Sequence, residues 1–276
     1  MKVTVLVENS VSLNAAKPLL GQHGLSMLLD IPNCGRILFD SGQSDILMKN
    51  LLLMDIVPDS VDYAVLTHGH YDHCGGLLEF LRSRSLPLTV FAGPGIFSPR
   101  YLQRRDGHHE FIGIPYTKEL LNSAGAEFIF VYGPTQIREN IWLSGPIPKT
   151  SDFEKESLSM LDANDQTDRF TDELAFYVLR PEGLVVFSGC AHRGLVNSIK
   201  YGQRVSGADK VCAVIGGSHL AAADKAQREA TLAFLRELEL NILALNHCTG
   251  LKVQSMLMAQ AGLKFINANA GDVLEF

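Results

Sequence analysis

No apolar run in this chain approaches the roughly 20 residues that span a bilayer. The opening stretch, Met1 to Glu8, is too short and too β-branched to serve as a signal sequence and reads as a strand. Positive charge is also scarce: 24 Lys and Arg stand against 30 Asp and Glu, a net charge of -6. With no basic stripe to attract phosphates, broad nucleic-acid binding is excluded. Cysteine is limited to Cys34, Cys74, Cys190, Cys212 and Cys248, an odd number that does not make a secreted disulfide framework. These absences lead us to expect a cytoplasmic protein that stays off membranes. No repeat or low-complexity linker divides the 276 residues, so one domain over 1–276 with a single large core is expected.

What is present centres on Val61 to Gly76. The apolar run Ala64 to Leu66 reads as a buried strand, and Thr67 ends it. His68, His70, Asp72 and His73 then follow within six residues. Side chains alternate along extended backbone, so His68 and His70 point the same way and make half of a tetrahedral zinc site. Asp72 and His73 are adjacent and diverge unless a turn swings both into a neighbouring pocket. Two metal ions roughly 3.5–4 Å apart are the natural reading. Solvated loop histidines are a poor account of three imidazoles and a carboxylate at one strand end.

The rest alternates strand and helix. Strands are expected at Lys2 to Glu8, Gly24 to Ile31, Arg36 to Phe39, Leu88 to Ala92 and Ala126 to Val131. A hairpin joins Leu174 to Leu179 with Leu184 to Phe187, and further strands run from Val211 to Ile215 and Ile242 to Leu245. Helices are expected at Ser44 to Met54, Leu77 to Arg84, Leu195 to Tyr201, Ala222 to Leu238 and Lys252 to Ala261, with closing strands over Phe265 to Phe276. Residues 96–123 break the rhythm and suit a substrate lid, and 140–172 look polar and irregular. Arg100, Arg104 and Arg105 on that insertion are candidates to pair with a phosphate; a solvated surface turn is the plainer account of them. His68, Cys190, His219 and His247 each follow an apolar strand, and ligand sites gather at such strand ends.

His68-x-His70-x-Asp72-His73 resembles the signature of the metallo-β-lactamase superfamily. The resemblance extends to Leu38-Phe39-Asp40-Ser41-Gly42, Ser188-Gly189-Cys190-Ala191-His192-Arg193-Gly194, Gly216-Gly217-Ser218-His219-Leu220 and Asn246-His247-Cys248-Thr249-Gly250. These look like the branch labelled dihydropterin-ribofuranosyl-aminobenzene-phosphate synthase-like. The resemblance implies an α/β, or α+β, fold: a four-layer αβ/βα sandwich of two mixed sheets. It implies His68 and His70 at a first metal, Asp72, His73 and His247 at a second, and Asp40 as a support for a ligand histidine, although a helix cap would explain Asp40 nearly as well.

One departure stands out. The superfamily's third histidine for the first metal is missing, since no histidine lies between His109 and His192. Asp172 or Glu173 lies near that position, and Cys190 or His192 could ligate instead; a buried inert thiol explains Cys190 equally well. A carboxylate ligand would make Mn²⁺ or Fe²⁺ plausible beside one or two Zn²⁺. Asp72 would hold or deprotonate the nucleophile and His219 would donate a proton or contact substrate. The expected function is a metal-dependent enzyme acting on a small anionic, phosphorylated molecule, as a dihydropterin-linked transferase that displaces diphosphate. A metallo-hydrolase of a small phosphoester or other ester, and a non-catalytic metal or ligand sensor, are the alternatives. A homo-oligomer is compatible with either.

Overall fold

The computed structural model describes residues 1–260 and 263–276. The chain runs through β1 (Lys2–Val7), β2 (Ser26–Ile31), β3 (Gly35–Phe39), α1 (Ile46–Leu53), β4 (Tyr63–Leu66), α2 (Tyr71–Cys74), α3 (Leu77–Arg82) and β5 (Leu88–Ala92). Next come β6 (Tyr101–Gln103), β7 (His109–Phe111), α4 (Lys118–Ser123), β8 (Ala126–Phe130), β9 (Thr135–Arg138), β10 (Ile141–Leu143) and β11 (Met160–Leu161). The remainder is β12 (Ala175–Arg180), β13 (Gly183–Ser188), α5 (Leu195–Ser206), β14 (Val211–Gly216), α6 (Lys225–Glu237), β15 (Ile242–Leu245), α7 (Leu251–Met258) and β16 (Val273–Glu275).

Two mixed sheets result, ordered β16-β1-β2-β3-β4-β5-β8 and β15-β14-β13-β12-β10-β9. They pack face to face because their strands are apolar on both sides. Val65 and Phe39 point inward to meet Phe176, Phe187 and Ile215 of the second sheet. The Phe39 ring lies 6.0 Å from that of Phe187 and 6.4 Å from that of Phe176. The alternate residues Leu38, Ala64 and Leu66 point outward to Leu47, Leu51 and Phe80 on α1 and α3. Leu184, Val186 and Val214 do the same towards Leu195 and Ile199 on α5, Leu232 on α6 and Leu257 on α7. Period-two alternation with apolar residues on both faces thus produces four layers, helix–sheet–sheet–helix.

β3, β4 and β5 are mutually parallel, as are β13, β14 and β15. Their C-terminal ends meet at one rim, where Leu174 N–H donates to the Thr67 carbonyl at 2.7 Å. A small third sheet, β11-β6-β7, lies against this rim. It is tied down by Tyr71 N–H to the Ile112 carbonyl at 3.1 Å.

Several expectations need correction. Residues 140–172 are not wholly irregular: β10 extends the second sheet beside β12, and β11 pairs with β6. The 96–123 insertion carries β6, β7 and α4. Helix α5 continues past Tyr201 to Ser206 and stops where Gly207 adopts φ +71°, which favours glycine. Helix α6 begins only at Lys225, because the Asp224 side chain caps it by accepting from Gln227 N–H at 2.8 Å. Helix α7 ends at Met258, and Ala261 lies outside the described residues. After Phe265 only isolated bridges and β16 are extended.

Candidate metal centre

Three chain segments deliver imidazoles to the rim. His68 and His70 follow β4, His73 lies in α2, His192 follows β13 and His247 follows β15. All five side chains are at most 6% exposed. Their ring orientations are set by hydrogen bonds. Asp40 ends β3 in a left-handed conformation, φ +56°, and its carboxylate accepts from Thr67 N–H at 2.7 Å and Thr67 Oγ1 at 2.8 Å. Because that hydroxyl donates to Asp40, its oxygen accepts from His68 Nδ1 at 2.9 Å, leaving Nε2 as the bare nitrogen. Asp40 Oδ2 also accepts from His73 Nδ1 at 2.7 Å. On the far side, Asn9 Oδ1 accepts from His247 Nδ1 at 3.1 Å, and Glu8 accepts from His247 N–H at 2.9 Å. The outer nitrogens of His68, His73 and His247 are therefore occupied, and the inner ones converge.

Two donor groups result. In the first, His68 Nε2 lies 3.1 Å from His70 Nδ1. Two nitrogens 2.0–2.1 Å from one tetrahedral ion are about 3.3 Å apart, close to this separation. His192 joins them, its ring 4.8 Å from that of His68 and 4.9 Å from that of His70. Burial pushes the His70 pKa down to about 3 and lowers those of His68 and His192 well below the ordinary imidazole range. The three rings are neutral, as ligands must be. His192 Nε2 is buried with no hydrogen-bond partner. An unpaired buried nitrogen is costly, and a cation would relieve that cost. The donor set fits a divalent ion.

In the second group, His73 Nε2 lies 3.1 Å from Cys190 Sγ and 3.2 Å from His247 Nε2. Asp72 Oδ2 lies 3.3 Å from His247 Nε2 and 3.9 Å from His73 Nε2. Burial favours protonation of Asp72, but the facing His73, His23 and His247 outweigh it and hold its pKa well below the usual carboxylate range.

The sequence readings divide accordingly. His68, His70, Asp72, His73, Cys190, His192 and His247 come together. His219 is also at the rim, in a left-handed conformation with its ring 4.4 Å from His192. Burial lowers its pKa to about 4, so it is a neutral base. Asp172 and Glu173 do not take the missing third-histidine position. Asp172 Oδ2 accepts from Gly69 N–H at 2.9 Å, which pins the backbone between His68 and His70. Glu173 accepts from His192 N–H at 2.7 Å and Arg193 N–H at 2.6 Å. Both carboxylates hold the backbone of ligand-bearing loops.

Arg100 corrects a further expectation. Its guanidinium is 4% exposed, with Nε 2.7 Å from Asp168 and an Nη 2.6 Å from Asp172, so it is spent inside the protein. It also crowds Gly69, where an added Cβ would fall 2.4 Å from Arg100 Nη1 and 2.1 Å from the Ile96 carbonyl. Arg104 pairs with Glu110 on the β6–β7 hairpin, and Arg105 is exposed on its turn.

Residues not anticipated are His23, whose Nε2 lies 3.1 Å from Asp72 Oδ2, Cys248, and the pair Glu8 and Asn9. Glu8 and Asn9 follow β1 as Asp40 follows β3, a polar signal after an apolar strand. Leu102, Ile112 and Met160 of the small sheet and its following loop roof a cavity of about 140 Å³ over His70, Asp72, Cys190 and His219. His192 and His219 also line an adjoining cavity of about 360 Å³ with Lys155, Ser157 and Gln227.

Residues 21–194 match the family model of the metallo-β-lactamase superfamily. The chain is 30% identical to the 7,8-dihydropterin-6-methyl-4-(β-D-ribofuranosyl)-aminobenzene-5'-phosphate synthase of Methanocaldococcus jannaschii, over 100% of this chain and 97% of that one. It is 31% identical to an uncharacterized protein of the same organism, covering 92% and 93% of the two chains. A solved structure described as a metal-dependent hydrolase of the β-lactamase superfamily superposes with a TM-score of 0.83 at 27% identity, covering 100% and 99% of the two chains. Zn²⁺-bound PqqB from Methylobacterium extorquens shares the fold, with a TM-score of 0.57 at 15% identity over the whole of both chains. Family model, full-length relative and fold agree: this chain belongs to the metallo-β-lactamase superfamily.

Proposed function

We propose that the protein is a metal-dependent transferase that joins a dihydropterin methylene carbon to an arylamine nitrogen on a small phosphorylated substrate, displacing diphosphate. The observation that carries this reading is the end-to-end likeness to the synthase, across both halves of the rim. In the reaction a C–N bond forms, a C–O bond to diphosphate breaks, and the amine loses one proton. A bound divalent ion would supply Lewis acidity towards the leaving oxygens.

The chain's own residues account for the rest. Leu102, Ile112 and Met160, with Tyr71 beside them, offer an apolar slot for a flat ring and exclude water from it. His219, neutral and at the junction of the two cavities, is placed to take the amine proton. Asp72 keeps its negative charge in the site and orients His23. Lys155, which lines the adjoining cavity and pairs with the exposed Asp224 at 3.0 Å, is a cation to which a phosphate could turn by displacing that carboxylate. Calorimetry on metal-loaded protein with 6-hydroxymethyl-dihydropterin diphosphate, followed by an assay for released diphosphate, tests the reading. Binding with amine-dependent diphosphate release is expected; no binding of any dihydropterin would sink it.

A second reading, hydrolysis of a small phosphoester, rests on the relative described as a metal-dependent hydrolase. It predicts turnover of generic phosphodiesters without any acceptor amine. The sensor alternative draws on the missing third histidine; His192, with a donor within 4.8 Å of those of His68 and His70, speaks against it.

A further inference from the structure

The second pocket holds one donor that the transferase reading does not use. The Sγ of Cys248 falls within 4.8 Å of both the Cys190 Sγ and a ring nitrogen of His247. Two thiolates bound at about 2.3 Å to one tetrahedral ion lie about 3.8 Å apart, inside that limit. The backbone makes room for this approach: an added Cβ at Gly217 would fall 2.7 Å from Cys248 Sγ and 3.2 Å from the Cys190 Cα. His219 N–H donates to Cys248 Sγ at 3.2 Å. An amide pointing at sulfur is a usual support for a ligating cysteine. His247 is 3% exposed, and its inner nitrogen faces His73 Nε2 at 3.2 Å and Asp72 Oδ2 at 3.3 Å, on the same side as the sulfurs.

We propose that Cys248 is a metal ligand, and that the second pocket is a thiolate-rich site formed by His73, His247, Cys190 and Cys248. Asp72 Oδ2, 3.3 Å from His247 Nε2 and 3.9 Å from His73 Nε2, stays at the edge of this pocket as its oxygen donor, with His23 on its outer side. Such a pocket selects a soft or borderline ion, Zn²⁺, Co²⁺ or Cd²⁺, over Mg²⁺ or Mn²⁺. On coordination each thiol releases its proton to solvent. The inference rests on reading the rim as a metal centre and is independent of whether the reaction is transfer or hydrolysis.

The test is cobalt substitution of the whole chain, with bound Co²⁺ counted and the near-ultraviolet thiolate-to-cobalt band recorded. Expected are two equivalents of Co²⁺ and a band that falls by about half in Cys248→Ser, by about half in Cys190→Ser, and fully in the double variant. A band unchanged in Cys248→Ser overturns the proposal while leaving the metal centre intact. Failure to bind Co²⁺ at all overturns both. A measurement on unmutated protein guards against misfolded variants. Iodoacetamide with mass mapping should label the half-buried Cys248 after chelation and spare it when Co²⁺ is loaded, with the fully buried Cys74 spared in both. Equal labelling of Cys248 in the two forms would count against ligation.

Discussion

In the first pocket all three donors are imidazoles, and the backbone carrying them is gripped by carboxylates, Asp172 at Gly69 and Glu173 at His192 and Arg193. In the second, nitrogen, sulfur and oxygen meet from separate segments: Asp72 with His73, Cys190, and His247 with Cys248. The first pocket is a preset frame with one chemistry. The second offers a choice of donors, and the ion that fills it decides which are used. The contrast teaches that acidic residues near a metal motif need not ligate. Buried at a rim, they are worth more as acceptors for the amides that position the ligands, because an unpaired buried N–H is costly.

The largest effect should come from removing the preset frame. Replacing His68 and His70 together by Ala is expected to abolish metal at the first pocket and reduce activity by about 10³-fold or more. Elemental analysis against the unmutated protein checks the metal, and full metal content in the variant would defeat the assignment. Next is Arg100→Met. It leaves Asp168 and Asp172 buried without their cation, and should destabilise the fold by about 3–5 kcal/mol in denaturant titrations. An unchanged midpoint with a raised KM would instead restore Arg100 as a substrate contact. Asp40→Asn probes whether the pockets are separable, since Asp40 reaches His68 through Thr67 and His73 directly. Its expected result is about 10–100-fold weaker binding at both pockets, read by competition with a chelating dye. Loss at one pocket alone would show that they are anchored independently. The smallest effect belongs to Arg105→Ala, on the exposed turn, where stability should change by less than about 0.5 kcal/mol and KM not at all.

The pockets were not equally legible. His68, His70, Asp72 and His73 lie within six residues after a buried apolar strand, so pattern and spacing exposed them. The β12–β13 hairpin and the parallel strands are readable as mostly apolar runs of four to six residues bounded by turn residues. Strands β6 and β7 in 96–123, and β10 and β11 in 140–172, have three residues or fewer, too few to show alternation in the sequence. The burial of Arg100 has no local signal, because its partners lie 68 and 72 residues away. His23 and Cys248 carry no spacing signal of their own; only the fold brings them to Asp72 and Cys190.

The hold of Glu8 and Asn9 on His247 joins residues more than 230 positions apart. On the ribosome, which releases a chain from its N-terminal end, the first pocket's three histidines emerge before His247 exists to be gripped. A growing chain can therefore present a half-built centre, with imidazoles able to capture a stray ion from the surroundings. The complete centre assembles only after the segment beyond β15 folds back onto the end of β1, so the order of synthesis separates filling of the first pocket from closure of the second.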